Sequence, residues 1–511
     1  MPTVLTGSSQ PVPLGEGYAI RAPGIRGSAD LKRPRSATER SRSRTAEDGT
    51  AALDEALTAA NVTEVRQVEL SVRPVAATEA AAPLRSVAGG DAVELQVPDL
   101  GSEVGQLVLA CDEAGVMTWH LPVGAPGTGG EAAAAGATRG AGGVKRFIIP
   151  ATPVEAPPTE AGASRSLFSA VGRKLLKVLV YPVTDPIIGT ISTLYAEHWE
   201  GKNRPYGLRN FVPENFTLRD GAALGAAEWT TLGAGPALLF VHGTFSTAHG
   251  AFGGLDPQAF AELHRRYNGR VFAFNHFTLA HDPAENVKWM LSNIPPAQRL
   301  TLDIVTHSRG GLVARTLAER PDAFGLPASN ISVNRVIFVG VPNYGTPLAN
   351  PDHMMAMIDR LTTALNLFPT GPVVETLEAM ITAIKMIAHG GIGGLRGLAS
   401  MRPDGDFLKK LNDGRQQTSK YFAIGADYEP QGTGLRALVR GTVADAALDY
   451  IFADKANDLV VPEAGVYGAD GSGAFPLKDA AVLRLPGTAG VIHTRMFTHA
   501  PASAKLLEWL A

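Results

Sequence analysis

Cysteine is almost missing from this chain. One residue, Cys111, stands in 511, so no disulfide within the chain can hold a fold together. Stability must come from buried apolar surface, and such cysteine usage fits a reducing compartment, with the cytoplasm as the expected location. Net charge is also small: 46 Lys and Arg against 49 Asp and Glu leave −3, which gives no ground for a nucleic-acid partner. No uninterrupted apolar run reaches the roughly 20 residues of a spanning helix. The start, MPTVLTGSSQPVPLGEGYAI, has no charged region followed by an apolar core, so no secretory signal is expected. No metal-ligand spacing stands out. His276, His281 and Asp282 lie close together, but a polar loop explains them as well, and neither a metal nor another cofactor is expected.

What the chain does have is 56 Gly and 36 Pro, and segments of sharply different pattern. Residues 1–60 read as a disordered tail, because the run RPRSATERSRSR (Arg33 to Arg44) is basic, rich in Ser and poor in apolar residues. Residues 61–123 read as a small β-rich domain. EVRQVELSVRP and DAVELQVPD alternate with period two, and QLVLACDEAGVMTWHLP reads as two strands around a turn at Asp112 to Gly115. Residues 124–163 are low in complexity and read as a flexible linker, with KRFIIP (145–150) as one possible strand within it. Residues 164–214 read as a helical connector: Leu167, Val171, Leu175 and Leu179 recur at helical spacing among Arg173, Lys174 and Lys177. A basic amphipathic helix of that kind either lies on a membrane surface or packs on a neighbouring domain.

From residue 215 to 511 short apolar runs alternate with helical patterns. PALLF (236–240), RVFAF (270–274), Leu302 to Val305, RVIFV (335–339) and YFAI (421–424) are the runs. That order argues for an α/β domain with a mostly parallel sheet covered on both faces. An insertion of about 350–420 interrupts it with two apolar helical stretches and six of the ten methionines. Methionine is flexible and polarisable, so the insertion reads as a helical cap or lid over an apolar substrate. The glycines at 390, 391, 393, 394 and 397 would let it move.

The chemistry centres on LDIVTHSRGGLVART (Leu302 to Thr316): strand, tight turn with Ser308, helix. Such a turn lifts one hydroxyl clear of a sheet, provided small residues flank it, and Gly310 is one of them. The other small position holds Thr306, a departure from the usual Gly. A serine hydroxyl is a weak nucleophile that needs a base, and the base needs an acid to fix its tautomer. Asp458 in NDLVVP and His493 in VIHT follow in the order acid, then His, with Asp454 and His499 as the alternatives. A tetrahedral oxyanion needs fixed donors. The backbone N–H of Arg309 is one, and that of Thr244, or else Phe245, is the other. His242 would order this second turn rather than act as a base.

VHGT (241–244), THSRGG (306–311), VGVPNYGTPLA (Val339 to Ala349), NDLVVP (457–462) and IHT (492–494) together resemble the α/β-hydrolase superfamily. Within it they are most similar to its lipase and esterase branches, including GPI inositol-deacylase-like proteins. The likeness covers about Asn215 to Ala511. It implies an α/β-hydrolase fold with Ser308 as nucleophile, His493 as base, Asp458 as acid, and Thr244 and Arg309 as oxyanion donors. The implied activity is hydrolysis of small-molecule esters or lipids with an apolar acyl or alkyl part, through an acyl-enzyme. The same serine would also serve an acyltransferase or amidase, and one fold hosts all of these. A non-catalytic binding or scaffold protein on a hydrolase fold is the rival reading, with the β-rich domain as its interaction module. Peripheral membrane contact follows only if 164–200 is an amphipathic helix, and the oligomeric state is not legible.

Overall fold

A computed structural model describes residues 2–34, 48–74, 92–112, 115–125, 143–150, 172–183, 192–367, 369, 371–413, 419–428, 456–468, 475 and 477–511. Period-two alternation governs its first part. Strands β1 (Thr3–Thr6), β4 (Ile25–Lys32), β5 (Thr63–Pro74), β7 (Val104–Asp112), β8 (Met117–His120) and β10 (Gly172–Pro182) form a six-stranded antiparallel sheet in the order β1-β4-β5-β10-β7-β8. Strands β2 (Val12–Gly15), β3 (Tyr18–Arg21), β6 (Ala92–Pro98) and β9 (Val144–Pro150) form a second, in the order β2-β3-β6-β9. Ile20, Leu95, Phe147 and Ile149 of the smaller sheet meet Val68, Leu70, Val108, Ala110, Leu176 and Val178 of the larger in one buried core. The β-rich region is thus a sandwich.

Two expectations fail here. Residues 1–60 are not a tail: β1 to β4 belong to the sandwich, and helix α1 (Asp48–Ala59) buries Leu53, Ala56 and Leu57 against it. The Arg33 to Arg44 run itself lies largely outside the described residues. Residues 172–182 of the expected helical connector are instead strand β10, paired with both β5 and β7. Both faces of β10 are covered, so its apolar residues are nearly continuous, and every fourth one mimics a helical stripe. Its Lys177 is held by Asp54 at 2.9 Å and Glu64 at 3.4 Å. The helical reading of residues 172–182 therefore fails, while residues 164–171 lie outside the described residues. Among the described residues, helix α2 (Ser192–Asn203) is the helical part of that connector. Among the described residues no helix is long and apolar enough to cross a membrane. The turn residues Glu113 and Ala114 and most of the 124–163 linker lie outside the described residues, whereas 144–150 is strand β9.

The second part is a seven-stranded sheet made of β11 (Gly207–Asn210), β12 (Ala237–Val241), β13 (Val271–Asn275), β14 (Leu300–His307), β15 (Ile331–Val339), β16 (Lys420–Ala426) and β17 (Val482–Leu485). The order is β11-β13-β12-β14-β15-β16-β17, parallel except for the edge strand β11. Alternate residues serve opposite faces. Leu239, Phe272, Ile304 and Phe338 pack under helices α4 (Pro283–Asn293) and α5 (Gly310–Glu319). Leu238, Phe240, Val305 and Ile337 pack under α3 (Pro257–Arg266) and α8 (Ala500–Trp509). A parallel sheet with helices on both faces, and the nucleophile-type turn after its central strand, is the α/β-hydrolase fold.

The insertion is helical, with α6 (Met354–Leu367) and α7 (Val373–Ala388), and it lies between the sandwich and the parallel sheet. Trp119 of β8 is 4% exposed against it. Burying a tryptophan removes roughly 200 Å² from water, worth about 5 kcal/mol before entropy, whereas each hydrogen bond nets about 1. Apolar contact therefore drives the docking and polar groups set its register. Trp119 N–H donates to Asp359 Oδ1 at 2.8 Å, its indole N–H to Thr362 Oγ1 at 3.1 Å, and Met117 N–H to Thr363 Oγ1 at 2.9 Å. Met354, Met357, Met380, Met386 and Met401 are all buried, so these methionines fill a core between domains rather than a surface for varied partners. Within the glycine stretch a Cβ on Gly393 would meet nothing within 4 Å, but Gly397 is closely packed. A Cβ on Gly397 would lie 1.9 Å from Thr278 O, so this glycine lets the two backbones touch.

Candidate active site

The turn after β14 holds Ser308 at φ 51°, a left-handed conformation that a residue with a side chain adopts only where its surroundings enforce it. Ser308 N–H donates to Val339 O at 2.9 Å, and Gly311 N–H closes on Ser308 O at 3.0 Å. A Cβ on Gly310 would stand 2.3 Å from Val241 O, and one on Gly243 would stand 2.5 Å from Ser308 Cβ. Both positions therefore require glycine, and the turns after β12 and β14 are pressed together. Thr306 is still within β14, and its buried hydroxyl donates to Ile337 O of β15 at 3.0 Å. The missing glycine thus falls in the strand, before the turn begins.

Asp458 and His493, 35 residues apart, are brought together, with His493 Nδ1 2.7 Å from Asp458 Oδ2. The carboxyl is 1% exposed, and a buried carboxyl needs partners. Its Oδ1 accepts from Val460 N–H at 3.0 Å and Val461 N–H at 2.7 Å. Leu459 carries φ 82°, and Asn457 Oδ1 takes its N–H at 3.0 Å, so the local sequence winds the backbone around the acid. The two segments are also tied by backbone: His493 N–H donates to Asp458 O at 2.9 Å. With Nδ1–H on the carboxyl, Nε2 is left as the accepting nitrogen. A Cβ on Gly340 would stand 3.1 Å from His493 Nδ1, and Gly340 directly follows the residue whose carbonyl holds Ser308 N–H. The imidazole with its carboxyl partner and the Ser308 turn thus both adjoin the end of β15, and among the described residues no hydrogen bond joins Ser308 to His493. His499 precedes α8 at its N-cap and has no bond to Asp458, and Asp454 lies outside the described residues.

The turn after β12 is ordered by His242. Its Nδ1–H donates to Gly243 O at 3.0 Å and its Nε2 accepts from His276 N–H at 3.2 Å. Burial holds its pKa down to about 3, so it stays neutral. Among the described residues neither Thr244 N–H nor Arg309 N–H has an acceptor, so both are available as donors beside Ser308. Phe245 follows with φ 57° and a buried ring.

Several features escape the sequence. The Arg309 side chain is fully buried, donating to Gly397 O at 2.8 Å, Ser400 Oγ at 3.2 Å, Asn286 Oδ1 at 3.0 Å and His281 O, and burial lowers its pKa to about 10. It fastens the end of the insertion to the serine turn. Next to that anchor, Met401 Sδ stands 3.8 Å from Thr244 Oγ1. Thr346 of the GTP segment donates to Val460 O at 2.6 Å, which steadies the acid loop. His307 lies against His493, with no signal in the sequence beyond its place next to Ser308. His276, His281 and Asp282 part company: His276 stacks on His242, His281 bonds Tyr206 and Glu197, and Asp282 caps α4.

Among solved structures the chain is similar to phospholipase PlaB from Legionella pneumophila, at 16% identity over 45% of each chain and a TM-score of 0.29. It therefore spans less than half the length of that phospholipase. It is also similar to lipase 1 from Pelosinus fermentans, at 12% identity over 53% of this chain and 98% of that one, with a TM-score of 0.32. An enol-lactonase from Burkholderia xenovorans LB400 matches at 14% identity over 60% and 95%, with a TM-score of 0.30. Scores this low add nothing to the reading of the site. No curated protein matches the chain. Residues 203–511 match the family described as a domain of unknown function, DUF7379, and this span takes in the whole parallel sheet, the insertion and every site residue above. The chain belongs to that family.

Proposed function

We propose that this chain is a serine hydrolase that cleaves carboxylic esters with an apolar acyl or alkyl part through an acyl-enzyme. The observation that carries the reading is the buried Asp458–His493 pair, at 2.7 Å, beside a serine held at φ 51°. In this reading Ser308 Oγ attacks the ester carbonyl carbon while His493 Nε2 takes its proton, and Asp458 stabilises the imidazolium. Thr244 N–H and Arg309 N–H hold the carbonyl oxygen as it becomes negative. Collapse of the intermediate breaks the bond to the alkoxy oxygen, which leaves as the alcohol with the proton from His493. Water then repeats the sequence on the acyl-enzyme, releasing the acid and freeing Ser308. The apolar preference rests on the insertion, whose Met401 adjoins Thr244. The nearer likeness to GPI inositol-deacylase-like proteins rests on the sequence motifs alone.

A fluorophosphonate probe tests the reading. Wild type should label covalently, and Ser308→Ala should not label and should lose on the order of 10⁴-fold or more in kcat. Equal labelling of the two proteins, or none of the wild type, removes the assignment. A series of p-nitrophenyl esters from short to long acyl chains then defines the pocket, and competing alcohols separate transfer from hydrolysis.

A further inference from the structure

His307 immediately precedes Ser308, and nothing in the scheme above uses its side chain. It is buried, burial holds its pKa down to about 3, and it is therefore a neutral imidazole with a single N–H. Nε2 lies 3.0 Å from the backbone oxygen of His493. A carbonyl only accepts, so the proton is on Nε2. Nδ1 is buried and has no partner. The ring lies 4.9 Å from that of His493, inclined at 37°, and meets Phe497 edge-on at 5.7 Å.

The His493 residue is thus held at three points. Its N–H goes to Asp458 O, its ring N–H goes to Asp458 Oδ2, and its carbonyl takes the proton of His307. Two of the three come from the acid loop. Only the third comes from the strand that bears the nucleophile, and so only the third ties the base directly to the serine's own backbone. The ring itself lies in a slot bounded by Gly340 and His307. His493 also opens a 3₁₀ turn, His493–Thr498, so the His307 proton adds a side-chain hold to a peptide that already carries the turn's own backbone bonds. Without the His307 donor that peptide would lose its tie to the strand before Ser308, and a small rock about the turn would shift Nε2 relative to the serine. A misplacement of about 1 Å can lower a rate on the order of a hundredfold.

We infer that His307 is a positioning residue: through its Nε2–H bond to the His493 carbonyl it sets the distance between base and nucleophile. The inference rests on the proposed role of His493, and the experiment keeps the two apart by following the labelling rate of Ser308 as well as turnover. His307→Phe keeps the ring volume and removes the donor. His307→Gln places an amide N–H near the position of Nε2, whereas His307→Asn reaches only as far as Nδ1. His307→Phe should lower kcat and the fluorophosphonate labelling rate by about ten- to a hundredfold, with KM within about twofold and a melting temperature no lower than wild type. His307→Gln should recover most of the loss, and His307→Asn should not. Full activity in His307→Phe, or equal defects in the Gln and Asn variants at equal folded fraction, overturns the inference. Should the Phe variant not fold, the Gln and Asn pair decides the matter by itself. Failure of the wild type to label would instead remove the hydrolase reading.

Discussion

The antiparallel sandwich and the parallel sheet employ their backbones differently. In the sandwich the polar groups of β8 are engaged along its length by side chains of α6, at 2.8 Å from Trp119 N–H and 2.9 Å from Met117 N–H, and among the described residues positive φ outside glycine falls at Glu16, in the β2–β3 turn, and at Asn61, after α1. In the parallel sheet the strand ends are where strain gathers. Phe245, Ser308 and Leu459, three of the six described residues other than glycine with positive φ, lie in the turn after β12, the turn after β14 and the loop at Asp458. Each such conformation costs on the order of 1–3 kcal/mol, a sum that folding alone gives no reason to concentrate in one place. The difference sets a sandwich held by paired backbone against a parallel sheet whose strained turns meet at the proposed site.

The comparison is broken most severely at the acid. Asp458→Asn should keep the fold yet lower kcat by roughly 10³- to 10⁴-fold in ester turnover, because the base then takes the wrong tautomer. Gly243→Ala comes next. Its methyl would stand 2.5 Å from Ser308 Cβ, so the turns must separate, with an expected loss of about 1–3 kcal/mol in chemical denaturation and on the order of tenfold or more in kcat. Thr363→Val, on the sandwich side, leaves Met117 N–H unsatisfied. It should cost about 1–3 kcal/mol of stability in the same assay while changing kcat less than about threefold.

Acidity should separate the halves further. Burial depresses His242 and His307 to about 3, so between the ordinary histidine value of about 6.5 and that point the unfolded chain binds more protons. Their contribution is present above pH 6.5 and is lost as the pH falls toward 3. Asp359 runs the other way. Burial raises it to about 8, opposed by the Trp119 N–H bond and the charge of Arg360, so from about pH 4 to 8 the folded chain binds the extra proton. Stability at this junction therefore declines as pH rises through that window, by up to about 1.4 kcal/mol per pH unit. Denaturation across pH 4–8 should show a shallower alkaline decline in Asp359→Asn than in wild type, with acid lability unchanged. Equal slopes would remove Asp359 from the account.

Five strands of the parallel sheet were legible because each is a short, fully buried apolar run ended by Gly or a polar turn, such as ALLFV before His242-Gly243. Strands β11, GLRN, and β17, VLRL, were not, since edge strands of four residues carry too little pattern to distinguish them from loop. Asp458 and His493 could be paired from their order along the chain, and in the structure His493 Nδ1 stands 2.7 Å from Asp458 Oδ2. The misreadings of β10 and of the methionines share one cause. Strand β10 and the methionine helices are covered on more than one side, and a segment buried all round loses the polar face that reports its period. The anchoring roles of Arg309 and His307 were invisible for a different reason. They depend on backbone carbonyls at Gly397 and His493, and a carbonyl looks the same in every residue of a sequence.

Strand β8 ends the larger sheet of the sandwich, and among the described residues its outer side and the Gly115 before it meet the row Asp359, Thr363 and Asn366 on α6. A shortened chain without that helix would leave an unguarded rim of amides and carbonyls next to a bare indole. Such rims recruit other copies, and the shortened protein should be lost to clumping before it is lost to inactivity.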